Sequence, residues 1–218
     1  MIQAEQQLGA RAGATPASDE AGREQLDRFA AMDPHKMGMV LFILSESVFF
    51  TLLILAYLLY RAAPAVANGP NAKTVLDIGL TAIFSACLFA SSGTIWLADR
   101  SLARGRDGLF RFWLAATIGL GGIFIFGQGQ EYYRLLTHNV TVSQNVFGTT
   151  FFTLTGFHGL HVIVGLIALL ILLGLALAGQ FKGGQHRAAV ETIALYWHFV
   201  DAVWVVVFSV IYIGAWLS

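Results

Sequence analysis

Six ionisable side chains stand inside or at the edge of long apolar runs: Glu46, Glu131, His158, His161, His198 and Asp201. Charged or titratable groups at membrane depth are expensive, so such positions are functional candidates by default. His158 and His161 are three residues apart, as are His198 and Asp201, so each pair shares a face if its run is helical. Two helices each offering imidazole have the donors for a haem or for part of a zinc site. The competing chemistry is simpler: polar side chains that satisfy one another between helices, worth about 1 kcal/mol per contact. The central donor set is small and mixed, and each histidine has a candidate hydrogen-bonding partner. Interhelical hydrogen bonding is therefore favoured over metal. From helical rise, Glu46 and Asp201 lie about 12–14 Å from the same-side ends of their helices, and His161 comes within about a turn of Asp201 in depth. A buried Asp–His contact between the last two helices is geometrically available.

Glu46 sits in Leu44-Ser45-Glu46-Ser47, where two hydroxyls are positioned to bond a carboxyl or the preceding backbone turn. A bare carboxylate in hydrocarbon is costly, so a protonated acid is expected unless a partner or water is present. A proton-carrying or lipid-headgroup role and a purely structural hydrogen bond stand level on these residues alone. His35 and His138 fall at interfaces and His186 in a loop, which reads as solvated surface. Asn139-Val140-Thr141 matches a glycosylation pattern and reads as idle.

The elements that must position these groups follow from composition. Of 218 residues, 56% are hydrophobic and 12% charged, against about 25% charged in a soluble domain. Lipid is the solvent this chain suits. The formal net charge is zero, which argues against nucleic acid as a partner. Cys87 is the single cysteine, so there is no disulfide framework. A helix needs about 20 apolar residues to cross the hydrocarbon. Five runs reach that length, with spans at about 38–60, 78–98, 112–131, 149–178 and 192–217. The expected fold is an all-α membrane protein of five transmembrane helices; runs this long without alternation are not barrel strands. Glycines on the third run (119–129) and the small residues Ser85-Ala86-Cys87 and Ala90-Ser91-Ser92-Gly93 on the second permit close helix packing. No internal repeat is visible, which disfavours an inverted-repeat transporter.

Residues 1–33 form a polar arm without a signal-like apolar region, expected to be mostly disordered and followed by the transmembrane domain at 34–218. Lysine and arginine orient the bundle. Arg11, Arg23, Arg28 and Lys36, the second-loop residues Arg100, Arg104, Arg106 and Arg111, and Lys182 and Arg187 share one side. Arg61, Lys73 and Arg134 are on the other. That ten-to-three split puts the N-terminus in the cytoplasm and the C-terminus outside. Tyr57, Tyr60, Trp96, Trp113, Tyr132, Tyr133, Tyr212 and Trp216 read as interfacial belts.

Four stretches then read together: Gly38-Met39-Val40-Leu41-Phe42-Ile43-Leu44-Ser45-Glu46; Gly127-Gln128-Gly129-Gln130-Glu131-Tyr132-Tyr133; Thr155-Gly156-Phe157-His158-Gly159-Leu160-His161-Val162; and Tyr196-Trp197-His198-Phe199-Val200-Asp201-Ala202-Val203-Trp204. In this order and spacing, from Pro34 to Leu217, the chain resembles subunit III of the haem-copper terminal oxidases. The resemblance implies a non-catalytic accessory subunit of a proton-pumping cytochrome c oxidase in the bacterial inner membrane. Such a subunit stabilises catalytic subunit I, associates with subunit II and membrane lipids, holds phospholipid and supports proton uptake. Haem and copper are then carried by the partner subunits, with no cofactor, metal or small-molecule substrate of its own here. Glu46 matches the family's carbodiimide-reactive buried carboxylate. Glu131, Tyr132 and Tyr133 fall on an interfacial family motif, and His158, His161, His198 and Asp201 on characteristic positions with no known metal role.

The longer mitochondrial-type members have seven helices, and two N-terminal ones are absent here, which puts the lipid cleft in doubt. Ser45-Glu46 and Gln130-Glu131-Tyr132-Tyr133 resemble the cytochrome c branch more than the alternatives, a quinol oxidase subunit or a nitric oxide reductase-associated homologue. Outside the family stand a bis-histidine haem cytochrome and a small proton-coupled transporter using Glu46 and Asp201. Subunit II needs a copper-binding cysteine pair and subunit I about a dozen helices, so the chain is neither.

Overall fold

The computed structural model describes residues 23, 34–62, 78–137, 146–181 and 187–214. The arm expected at 1–33, apart from Arg23, and His138, Lys73, Lys182, His186 and Trp216 lie outside them. The chain divides into two compact units, Met1–Gly38 and Met39–Ser218, and the helical bundle belongs to the second. Among the described residues five helices follow in order: α1 (Pro34–Ala62), α2 (Ile78–Ala103), α3 (Asp107–Thr137), α4 (Val146–Leu177) and α5 (Arg187–Phe208), the last continued by a π-helical turn over Ser209–Ile213. All five are long and apolar enough to cross a membrane, and no strand occurs among the described residues.

Most helix ends lie beyond the apolar runs because hydropathy marks only the part that meets hydrocarbon, whereas caps decide where a helix stops. α2 ends in a Schellman turn: Gly105 has φ 66°, its N–H donates to the Leu102 carbonyl at 2.9 Å, and the Arg106 N–H to that of Ser101 at 2.9 Å. α3 starts at once, at Asp107 rather than near 112, and runs six residues past 131. The same device closes α4, where Gly179 has φ 79° and Gln180 N–H reaches the Leu175 carbonyl at 3.1 Å.

The tight α2–α3 turn forces those helices into an antiparallel pair. Phe84 of α2 lies where a side chain on Gly127 would stand, 2.2 Å from the position of a Cβ there. α5 is the most buried helix and α1 the least. Trp197 of α5 is fully buried and wedged between Gly121 of α3 and Gly165 of α4, whose Cβ positions lie 2.9 and 2.8 Å from its ring. The glycines thus admit aromatic rings rather than bare backbone, and Gly119, Gly122 and Gly129 have open space beside them.

α2 and α5 meet through hydrogen bonds as well as packing. Trp197 Nε1 donates to Ser91 Oγ at 2.9 Å and Trp204 Nε1 to Ser85 Oγ at 2.8 Å. An indole N–H buried in hydrocarbon must find an acceptor, so these serines fix the register of the antiparallel pair.

Candidate functional site

The ionisable residues separate into distinct arrangements rather than one cluster. On α1 and α4, Glu46 Oε2 lies 3.2 Å from His161 Nε2. His161 Nδ1 lies 2.8 Å from the Phe157 carbonyl, which can only accept, so Nδ1 carries a hydrogen. One further proton then lies between Nε2 and the carboxyl oxygen. The pair is either acid with neutral imidazole or carboxylate with imidazolium, and the proton count is identical. Phe50 packs its edge on the His161 ring at 5.1 Å, and Tyr196 OH donates to the His161 carbonyl at 3.0 Å. The flanking hydroxyls do not touch the carboxyl: Ser45 donates to the Phe42 carbonyl and Ser47 to that of Ile43.

His161 therefore meets Glu46, and the contact with Asp201 that helical depth made available is not formed. Asp201 instead takes a short hydrogen bond from Ser92 Oγ of α2, and the same Ser92 Oγ lies 3.0 Å from His198 Nδ1. Spacing placed His198 and Asp201 on one face correctly, but a hydroxyl from another helix joins them.

His158 departs from the expectation that each histidine has a hydrogen-bonding partner. It is fully buried, and neither ring nitrogen is hydrogen-bonded among the described residues. The ring stacks on Trp204 at 4.8 Å and 24°, with Phe124 edge-on at 6.0 Å. Its three-residue offset from His161 turns it about 60° around α4 and into the aromatic core, where Phe50 of α1 also meets it edge-on at 6.4 Å. Among the described residues no three His, Cys, Asp or Glu side chains converge as a metal site would require. His35 lies in the first turn of α1, and its side chain is not described.

Glu131 is buried in the bundle rather than facing the interface. Tyr212 OH of the π-helical turn donates to its Oε2 at 2.6 Å, and Thr81 Oγ1 of α2 to its Oε1 at 3.1 Å. Tyr132 is half-buried. Thr155 Oγ1 spends its hydrogen on the Phe151 carbonyl, so the 2.7 Å contact between Tyr132 OH and Thr155 Oγ1 is donated by the tyrosine. Gln128 Nε2 reaches the Thr155 carbonyl at 2.8 Å. Tyr133 and Trp96 are exposed as belt residues should be, whereas Tyr57 and Tyr212 are buried in the core.

Sequence reasoning missed Arg61, which it counted only as a loop charge. Arg61 donates to the Gly214 carbonyl at 2.6 Å and to that of Val210 at 3.4 Å, binding the last turn of α1 to the π-helical end of α5. A cation against the open carbonyls of a helix C-terminus is favoured by the helix dipole. Its one available signal was its place beside Tyr57, one turn back on the same helix. The serines of α2 were also missed as bonding groups, having been read as small residues.

Taken together, these features define an integral membrane protein of five helices whose interior polar residues mostly bind one helix to another. The family model described as cytochrome c oxidase subunit III matches residues 17–217, beginning ahead of Pro34, where the resemblance in the sequence starts. The chain is 38% identical over 176 residues to a probable cytochrome c oxidase subunit 3 of Mycobacterium leprae, covering 81% of this chain and 86% of that one. It is 34% identical over 190 residues to cytochrome c oxidase subunit 3 of Corynebacterium diphtheriae, covering 85% and 92%. With the subunit 3 of Synechocystis it shares 35% over 181 residues, 83% and 76% of the two chains. The chain belongs to the cytochrome c oxidase subunit III family, and so is a subunit of an oxidoreductase complex of the respiratory chain.

Proposed function

We propose that this chain is a non-catalytic accessory subunit of a proton-pumping cytochrome c oxidase. It stabilises catalytic subunit I, associates with subunit II, holds phospholipid and supports proton uptake. It sits in the bacterial cytoplasmic membrane with its N-terminus inside and its C-terminus outside, and the haem and copper are carried by the partner subunits. The observation that carries this reading is the Glu46–His161 pair, 3.2 Å apart and partly accessible on the least buried helix. A proton held at mid-depth on a loosely enclosed helix suits a role toward lipid and a neighbouring subunit rather than chemistry within this chain. The names borne by relatives in three bacterial genera support cytochrome c as donor over quinol.

The test is purification of the assembled complex with Glu46→Gln. Carbodiimide labelling of this chain should be lost while the first turnover of oxygen reduction stays intact, and bound phospholipid per complex should fall. Loss of oxygen reduction on the first turnover would refute a non-catalytic role. A copper-binding cysteine pair in the co-purifying subunit II supports cytochrome c, and its absence a quinol.

A further inference from the structure

The geometry points to a second proton-binding unit, formed by Asp201, Ser92 and His198, in which the Ser92 hydroxyl relays a proton between imidazole and carboxyl. Ser92 Oγ carries one hydrogen and contacts both Asp201 Oδ2 and His198 Nδ1. Two proton arrangements satisfy all three atoms. In the first, Nδ1–H donates to Oγ and the hydroxyl donates to a carboxylate. In the second, the carboxylic acid donates to Oγ and the hydroxyl donates to a bare Nδ1. With Nε2 bare in the first and carrying a hydrogen in the second, they differ by one proton.

The ring of His198 is half-buried, and its Nε2 is neither hydrogen-bonded nor enclosed among the described residues. A proton binding Nε2 breaks no heavy-atom bond: Nδ1–H passes to Ser92 Oγ, whose own hydrogen passes to Asp201 Oδ2. The carboxylate ends as a neutral acid and the imidazole as the opposite tautomer. No charge remains on any of the three groups. Asp201 is buried and its Oδ1 has no hydrogen-bond partner among the described residues, so an anion there has a single donor. That is the condition under which a transferred proton is held.

The other titratable groups around this unit are engaged elsewhere or lack contact with it. Glu131 of α3 is held by Tyr212 and Thr81, His161 of α4 by Glu46 of α1, and His158 of α4 stacks on Trp204. Asp99 of α2 stands two turns from Ser92 toward the helix end. The unit is thus separate from Glu46, and it does not depend on which oxidase the chain serves.

The test is infrared difference spectroscopy of the full chain in lipid nanodiscs, with isotope-labelled histidine, across a pH series. In the wild type, the Asp201 carboxylic-acid band, identified by its loss in Asp201→Asn, should rise with the same midpoint as the tautomer change of His198. Ser92→Ala should separate the two midpoints or abolish the histidine response, and Ser92→Thr, which keeps the hydroxyl, should restore coincidence. If Ser92→Ala does not fold, the wild-type titration decides alone. Independent midpoints in the wild type, no Asp201 band at any pH, or coincidence preserved in a folded Ser92→Ala would overturn the relay.

Discussion

The wedge of Trp197 permits a sharp test through Gly165→Ala. A Cβ on Gly165 would lie 2.8 and 2.9 Å from two atoms of the Trp197 ring and 3.2 Å from Tyr196. The ring has no room to retreat. Its opposite edge already lies 2.9 Å from the Cβ position of Gly121, and its Nε1 is tied to Ser91. Overpacking of this kind costs about 1–3 kcal/mol. Gly174, nine residues along the same helix, has nothing within 4 Å of its Cβ position, so Gly174→Ala is the matched control. Both variants gain alanine's helical preference over glycine, up to ~1 kcal/mol, so it cancels between them. The difference between the two should be about 1–3 kcal/mol, which is roughly 5- to 150-fold in the unfolding equilibrium at 1.4 kcal/mol per tenfold. Reversible denaturant unfolding in micelles, followed by circular dichroism, reads that difference directly. Equal stability of the two variants would refute the wedge.

Other expectations follow from the polar contacts. His158→Phe should change stability by less than about 1 kcal/mol, because it removes a ring with no hydrogen-bond partner, while His161→Phe should cost more by leaving Glu46 alone; the same unfolding assay compares them. Asp201→Leu should reduce recovery of this subunit in the purified complex more than it reduces turnover of complexes that do assemble, and an assembled but redox-dead complex would contradict it. Arg61→Gln should speed amide hydrogen exchange in the last turn of α5 by several-fold without affecting α2, and unchanged exchange there would remove the clamp from the account.

Much of this fold was legible because a bilayer leaves few options. Every backbone group must be satisfied within its own segment, so the long apolar runs identify the helices, and only their ends escaped. The caps at Gly105 and Gly179 are local backbone events that hydropathy does not see. Pairings between helices were harder. The offset of three that links His158 to His161 is real, but α4 borders different neighbours on either side, and 60° of rotation separates a hydrogen-bonded histidine from one packed as an aromatic. Ser85, Ser91 and Ser92 looked like packing residues, yet they face Trp204, Trp197 and the His198–Asp201 pair. A tryptophan pair seven apart on one run, opposite serines six apart on another, was the available clue. Reading it requires knowing that α2 and α5 are neighbours.

α1 is bound differently from the other helices, and this bears on what Glu46 does. Its outward stripe of Leu41, Leu44, Val48, Leu52, Leu55 and Leu59 is exposed. Its inward side reaches the bundle through rings, Phe49 against Phe157 at 5.0 Å and Phe50 against His161 at 5.1 Å. Polar ties act on either side of these rings, Glu46 to His161 before them and Arg61 to the end of α5 after them. They are 15 residues apart, about 22 Å along the helix. Apolar surface in lipid gives little drive for one helix to approach another, so rings and ties, rather than close backbone packing, hold α1 in place. Glu46 therefore both shares a proton with His161 and helps to fasten the least enclosed helix. Its proton state and the position of α1 must be coupled, because a carboxylate facing a neutral imidazole that has lost the shared proton repels the lone pair of Nε2 instead of bonding to it.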